Sequence, residues 1–523
     1  MTPTIEKPAP LGIATWTGFA MMCLGMFMAI LDIQVVATSL PTIQDALGVR
    51  PDQMSWIQTA YLIAEVVAIP LTGFLTRWLS MRGLFVAGVS VFTLASAGCA
   101  ASGNFEQLIA LRVIQGFSGG VLIPAVFSAV FLLFPFNRQG LATTVAGVLA
   151  VLAPTVGPVV GGWITETYSW RWLFLINVAP GVLAAIGALR LLPRERGEPG
   201  LWRTLDGAAL GLLAIGLTAL EIGLKEAPGR GWTSPLVTGL LALSGVSIFG
   251  FARRSLRRSP PVVELRTLRN RNFAIGGLLS FVLGIGLFGS VYLMPVFLAF
   301  VRGHQALRIG EIMLVTGAAQ LVCAPLAVAL ERRLDPRLLT AFGFLLFGIG
   351  LGMSARQTGE TDFAGMVWPQ LVRGTAIMFC LLPPTRLALG QLTTAEVPDA
   401  SGLFNLMRNL GGAIGLALID TVIYGRGPHH VTAIIERLNA GDEATARAVG
   451  IPMAMFRNRP AGPLDPMTTA LLEPMVKNLA LVEVINEAWA LIAVLTLAAL
   501  FSLPFARSGG LRPRAPTRPP WGP

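Results

Sequence analysis

The sequence predicts an all-α polytopic membrane protein, and three observations predict it. Of 523 residues, 54% are hydrophobic and only 13% are charged, about half the charged share of a soluble globular protein. The apolar residues gather in blocks near the roughly 20 residues that a helix needs to cross a bilayer. The arginines sit between the blocks, in short loops. A net charge of +11 would otherwise point to nucleic acid, but this placement is the positive-inside pattern of a membrane protein.

Block length and punctuation give fourteen spans. The first six are Trp16–Thr38, Ser55–Phe74, Leu84–Ala101, Leu108–Phe134, Leu141–Ile164 and Trp172–Leu192. Two more, Leu205–Leu224 and Leu236–Ala252, form a pair between charged linkers. The last six are Phe273–Phe300, Ile309–Leu330, Leu338–Met353, Phe363–Leu389, Leu403–Tyr424 and Val482–Phe505. The first block is too long for a signal peptide's apolar region and should stay as a span.

Loops on one side carry Arg77, Arg82, Arg138, Arg190, Arg194, Arg253, Arg254, Arg332 and Arg337, with Arg507 and Arg512 in the tail. Short loops on the other side are nearly bare, with Arg50, Arg171 and Arg230. The Arg-rich side should be cytoplasmic, which puts both termini inside and requires an even number of spans. One outer connection, 425–478, is long; a small cap or docking surface is expected, with an amphipathic helix over Thr432–Ala448.

The four cysteines lie inside apolar blocks without metal-ligand spacing and read as small core residues. His304, His429 and His430 fall in or beside loops; solvated positions are expected, and no metal site. A faint internal repeat is also visible. Gln107-Leu108, Arg112 and Pro124 have counterparts in Gln370-Leu371, Arg373 and Pro383. Gly157–Gly161 and Gly411–Gly415 are both GxxxG, a close-packing pattern.

Ionisable groups inside spans are costly and mark function by default. Asp32 lies roughly 13 Å below the outer end of the first span, and Arg112 roughly 10 Å deep in the fourth. The two should meet, as a proton-coupling pair or as a permanent structural ion pair. Glu65, near the middle of the second span, must face a cavity, pair or hold a proton; it is the second candidate for coupling. Arg373, Arg386 and Arg408 are further intramembrane charges. Arg408, followed by Gly411-Gly412, belongs at a tight helix contact. Glu221, Glu311 and Asp420 lie nearer span ends. In the fifth span, Pro154 and Pro158 with Gly157, Gly161 and Gly162 describe a bent helix packed closely on a neighbour.

These stretches resemble the major facilitator superfamily, in its fourteen-span drug/proton antiporter branch (DHA2) of the EmrB/QacA type. Leu31-Asp32 to Leu40-Pro41 resembles that branch's first-helix motif. Leu108–Gly120 resembles the fourth-helix motif with its buried arginine, and Ala153–Gly162 the antiporter motif of exporting members. Ser169–Asn177 and Ser401–Gly415 are similar to further stretches of the branch. The cytoplasmic loop motif departs from the usual pattern. In Gly73 to Arg82, Arg77 replaces the usual acid and Ser80 the second glycine, which puts the usual charge-relay latch in doubt; a basic residue there is similar to what EmrB-like members show, so it shifts the subgroup rather than the family.

The resemblance implies a major facilitator fold. An N-terminal six-helix bundle would span 1–200 and a linker with two extra helices 201–258. A C-terminal six-helix bundle would span 259–523, including the outer loop 425–478. It implies proton-coupled efflux of amphipathic small molecules by alternating access in a bacterial inner membrane, driven by the proton gradient without cofactors. EmrB-like members of two-membrane bacteria also use a periplasmic adaptor and an outer-membrane channel. Gln34, Gln58, Tyr61 and Asn405 are candidate polar contacts to substrate, with packing as the alternative role. Export of one physiological metabolite is the rival function. A membrane receptor or enzyme is disfavoured, because no nucleotide loop, HExxH or nucleophile constellation is present.

Overall fold

The computed structural model describes residues 12–48, 54, 56–194, 196–258, 261–331, 333–457, 462 and 466–506. Arg50, Arg332, Arg507 and Arg512, expected in loops and tail, lie outside the described residues. Every regular element among the described residues is helical. Fourteen helices are long and apolar enough to cross a membrane. They are α1 (Ile13–Ala37), α2 (Trp56–Leu79), α3 (Met81–Ala101), α4 (Phe105–Leu133), α5 (Asn137–Thr167), α6 (Trp172–Leu191) and α7 (Gly207–Arg230). There follow α8 (Pro235–Arg257), α9 (Arg271–Phe300), α10 (Leu307–Glu331), α11 (Pro336–Arg356), α12 (Phe363–Leu389), α13 (Val397–Asn439) and α14 (Met467–Phe505).

Side chains just outside the apolar blocks start these helices by accepting a free backbone N–H of the first turn. Asn104 Oδ1 accepts from Gln107 N at 2.9 Å before α4. Asp206 Oδ1 accepts from Ala209 N at 3.1 Å before α7. Asp335 Oδ1 accepts from Arg337 N at 2.9 Å, and Asp362 Oδ1 from Phe363 N at 2.7 Å. Between α2 and α3 the chain turns at Ser80, whose φ of 70° is the left-handed region that a glycine enters freely. Ser80 Oγ accepts from Gly83 N at 3.2 Å, so the side chain that strains the turn also caps α3.

Helix packing repeats along the chain. α1 packs on α5 and α6, α2 on α4, α3 on α4 and α6. Eight helices later α9 packs on α13 and α14, α10 on α12, α11 on α12 and α14. The faint sequence repeat is therefore a repeat of contacts, with α4 matching α12 and α5 matching α13. The two sets meet where α5 lies along α10 and where α13 crosses α2 and α4. α7 and α8 pair with each other, and α7 also rests on α13 and α2. We call the end carrying the Ser80 turn the arginine-rich face, and the opposite end the hairpin face.

The segment 425–478 is not a long loop. α13 continues without a break to Asn439 through Pro428, and α14 starts by Met467. Short helices Glu443–Val449 and Met453–Arg457 lie between them. The reason is amphipathicity that the Gly425–Pro428 punctuation hides: Ile434, Leu438, Ala446, Val449, Phe456, Val476 and Ala480 form their own apolar cluster. His430 is not a solvated loop residue either. Its Nδ1 lies 2.6 Å from Glu483 and its Nε2 3.1 Å from Glu487, which ties α13 to α14. No grouping of metal-ligating side chains occurs among the described residues.

Asp206 stitches the α7–α8 pair at the arginine-rich face. Its Oδ2 lies 2.6 Å from Arg254 Nε and 3.0 Å from Arg258 Nη1. The hydrogen bond from Arg254 holds its carboxyl down, from 3.8 to about 2. A depressed carboxylate stabilises the fold fully above its unfolded value and loses that contribution as pH falls through the folded one. The unfolding temperature of the purified protein should therefore fall between pH 4 and pH 2 in part through this group. Asp206→Asn should lower the unfolding temperature at neutral pH and shrink the acid-dependent loss.

Candidate functional site

Asp32, on α1, is 1% exposed and Arg112, on α4, is fully buried. They face each other because α1 and α4 cross at similar depth. Arg112 Nη1 donates to Asp32 Oδ2 at 2.5 Å and to Gln115 Oε1 at 2.7 Å, while its Nε donates to the Ile57 carbonyl at 3.0 Å. The second carboxylate oxygen is also engaged: Asp32 Oδ1 accepts from Gln115 Nε2 at 3.0 Å and Asn177 Nδ2 at 2.7 Å. Ser96 Oγ accepts from Gln115 at 2.6 Å and Asn177 at 3.2 Å. A buried ion pair is tolerable only when its remaining lone pairs and protons are used. α1, α2, α3, α4 and α6 all contribute to that here, while Arg112 Nη2 finds no acceptor among the described residues.

Below the guanidinium lies Tyr61 of α2, its ring centroid 4.4 Å from the Arg112 carbon. Tyr61 is buried and donates to the Ala29 carbonyl of α1 at 3.1 Å. α2 comes this close because α4 is glycine-lined. A Cβ at Gly116 would overlap the Tyr61 backbone carbonyl, and one at Gly120 would stand 2.6 Å from the Glu65 carbonyl oxygen. Small residues at a helix interface act in this way generally.

Glu65 is 3% exposed, one turn further along α2, and no hydrogen bond or ion pair engages it among the described residues. The charges that act on it come from Glu221 of α7, Arg112 and Arg408. Arg408 of α13 donates to Asn405 Oδ1 at 2.5 Å and lies 5.5 Å from the Phe127 ring of α4.

Among the candidate contacts to substrate, Tyr61 and Asn405 are tied into the core, Asn405 donating to the Ser401 carbonyl at 2.9 Å. Gln34 packs at Gly157, where a Cβ would collide with its own Cβ. That contact gives the α5 motif its use, since glycine lets α1 and α5 touch there. Pro158, Gly161 and Gly162 are buried beside it on the same unbroken helix. Gln58 is half-buried.

The loop motif holds a charge-reversed latch. Arg77, which stands where the resembling family has an acid, forms an ion pair with Asp399 at the start of α13. Gly73 lets Asp399 approach, because a Cβ there would lie 2.7 Å from the Asp399 Cα. Arg82 Nη1 reaches the Leu192 carbonyl at 3.4 Å, tying α3 to the end of α6. Ser401 Oγ donates to the Pro124 carbonyl of α4 at 2.9 Å. On the opposite flank Arg386 Nη1 of α12 lies 3.2 Å from Glu331 of α10, which sits against Gly140 of α5. The two halves are thus fastened together at the arginine-rich face. An apolar cavity of about 450 Å³ lies between α5 and α10, lined by Leu141, Val145, Leu149, Leu321, Pro325 and Val328 among others.

Sequence reasoning found Asp32, Arg112 and Glu65 but missed Gln115, Ser96, Asn177 and Asp399. The first three carried a signal: each is polar inside an apolar block, and Gln115 is one helical turn from Arg112. Asp399 carried none, since it lies just before the expected start of its span.

Residues 22–416 match the family model described as Major Facilitator Superfamily. The chain is 38% identical to "Colistin resistance protein EmrB" of Acinetobacter baumannii, over 80% of this chain and 82% of that one. It is 31% identical to "Multidrug export protein EmrB" of Escherichia coli, with the same coverage. It is 29% identical to "Fatty acid resistance protein FarB" of Neisseria gonorrhoeae, over 79% and 82%. Among solved structures, the human organic anion transporter MFSD10 superposes with a TM-score of 0.60 at 15% identity, over 94% of this chain and 99% of that one. That likeness concerns the fold alone.

Two outcomes follow from the geometry. Asp32→Asn should cost about 3–5 kcal/mol, because it strands a buried guanidinium, and adding Arg112→Gln should recover part of the loss in thermal unfolding. Arg77→Asp or Asp399→Arg alone should reduce transport in vesicles, and the double exchange should restore most of it; failure of the double exchange would show that the latch is not electrostatic.

Proposed function

The chain belongs to the Major Facilitator Superfamily and within it to the EmrB-like drug exporters, and from that premise we propose that it is a proton-coupled antiporter. It is a multi-pass membrane transporter of small molecules. In the proposed cycle the substrate is an amphipathic compound that leaves as a proton enters, and the transmembrane proton gradient supplies the energy without a cofactor. The arginine-rich face is cytoplasmic on this reading, with both termini on that side of a bacterial inner membrane, in keeping with the distribution of loop arginines.

The observation that carries the reading is the contrast between two neighbouring carboxylates. Asp32 is held by three donors, one of them a cation. Glu65, on the adjacent helix, is buried with no such partner. Protonating Asp32 would release Arg112 from its strongest acceptor. Arg112 also holds the Ile57 carbonyl and stacks on Tyr61, so the release would reach α2 directly. α2 ends in Arg77, at the latch. Proton binding at Asp32 on α1, passed through Arg112 to one end of α2, and opening of the latch at the other end of α2 are then linked by one helix, as alternating access requires. The apolar cavity between α5 and α10 suits the hydrophobic part of such a substrate. The helical hairpin of α13 and α14 is the part of the chain we assign to a periplasmic adaptor, which would pass substrate to an outer-membrane channel.

Everted vesicles carrying the protein should release protons when an accepted compound is added under an imposed pH gradient. Asp32→Asn and Glu65→Gln should each reduce that release at least tenfold. Normal exchange by both variants would remove these residues from coupling, and transport driven by ATP instead of the gradient would remove the antiport reading altogether.

A further inference from the structure

Arg373 of α12 is the buried arginine on the helix that matches α4, about three residues further into it than Arg112 is into α4, and its surroundings differ. It is 3% exposed. Its Nε and Nη1 find no acceptor among the described residues. Its Nη2 reaches only the thioether sulfur of Met294, at 3.5 Å. Met294 belongs to α9, the counterpart of the helix that supplies Asp32, so a sulfur stands where the first half has a carboxylate. Gly350 of α11 packs on the Arg373 side chain, its added Cβ falling 2.6 Å from Cγ, so the stem cannot swing that way.

Other unused donors surround it. The Arg373 guanidinium carbon lies 4.7 Å from the Trp489 ring centroid, and Trp489 Nε1 is itself buried without an acceptor. One turn earlier on the same face of α12, Gln370 accepts from Thr316 Oγ1 at 3.0 Å through its Oε1 and leaves its Nε2 unpartnered. A buried cation without a counter-charge and buried donors without acceptors are among the most costly arrangements in a protein. Here they occur together, on α12 and α14, and every open valence is a donor. The complement of such a set is an acceptor carrying one negative charge. The indole ring and the Met294 side chain make the remaining contacts apolar.

We propose that Arg373, Gln370 and Trp489 form an anion site in the second half of the bundle. The site takes a monovalent anion, either the carboxylate of an amphipathic molecule or an inorganic halide. Arg373 lies ten residues into α12, roughly 15 Å along the helix from Phe363, so it is nearer the hairpin face than the arginine-rich face. The site is separate from the Asp32 network and from proton coupling, and it is read by binding rather than by transport.

The test is thermal unfolding of the full chain in nanodiscs, with benzoate or chloride added against sulfate at matched ionic strength. At least one of the two should raise the wild-type unfolding temperature by about 2 °C or more. A shift with benzoate alone assigns the site to carboxylates, and a shift with chloride as well assigns it to small anions generally. Arg373→Gln should abolish the shift, and Trp489→Phe should diminish it. Met294→Asp supplies an internal carboxylate, so it should raise the unfolding temperature by itself and remove the response to added anion; it serves also if Arg373→Gln fails to fold. Absence of any anion shift in the wild type would overturn the proposal, as would a shift that survives in Met294→Asp.

Discussion

The structure depends on keeping a guanidinium charge inside a membrane-spanning bundle. Arg112 is fully buried, and an unmatched charge in that setting costs more than most single interactions can return. The solution recruits five helices. Asp32 supplies the charge, Gln115 and Asn177 engage its second oxygen with Ser96 behind them, and the Ile57 carbonyl accepts from Nε, leaving Nη2 without an acceptor among the described residues. Their positions are held in turn by the close contact of α2 with α4 at Gly116 and Gly120 and of α1 with α5 at Gly157. Lipid tails are as apolar as the side chains, so the hydrophobic effect contributes little to holding helices together, and close packing with buried polar contacts does the holding.

The sequence revealed the parts of this that depend on composition and on period. Fourteen apolar blocks, the meeting of Asp32 with Arg112 and the close contact at Gly157 all follow from costs that any bilayer imposes. What it hid depends on contacts between distant segments. Asp399 reads as an ordinary loop acid until α13 is laid across α2, which brings it onto Arg77. The hairpin of α13 and α14 reads as a loop because Gly425, Gly427 and Pro428 cluster together. The helix runs through them because its buried face, from Ile434 onward, packs against Val476 and Ala480. Local punctuation lost there to tertiary burial, as intrinsic propensity commonly does.

The reversed latch shows which property of the loop motif matters physically. Arg77 on α2 stands where the usual loop motif has an acid, and an ion pair with Asp399 on α13 still joins the two halves at the arginine-rich face. What must persist is opposite charge across the contact together with a glycine at position 73, where Asp399 leaves no room for a Cβ. Ser80 illustrates the same point from the backbone side. The turn keeps the left-handed conformation that glycine would adopt, and the hydroxyl returns a hydrogen bond to the start of α3.

α2 is where these constraints converge, and its own geometry is suited to that. Within it, Ile69–Leu71 tighten into a 3₁₀ turn around Pro70, between Glu65 and Gly73. Proline at that point removes one backbone donor, and a short 3₁₀ stretch inside a helix is a common place for bending. On the hairpin side of the turn, α2 is held by Arg112 through the Ile57 carbonyl and the Tyr61 ring. On the arginine-rich side, it is held by Asp399. Gly402 of α13 packs against the turn itself, with Ile69 O 2.9 Å from where its Cβ would be. A helix anchored electrostatically at both ends and softened between them can exchange one anchor while keeping the other. A uniformly stiff helix could not, because losing either anchor would displace the whole rod. In the proposed cycle, the chemistry at Asp32 and the latch at Arg77 therefore need no direct contact to be coupled; they need the 3₁₀ turn at Pro70 to remain between them.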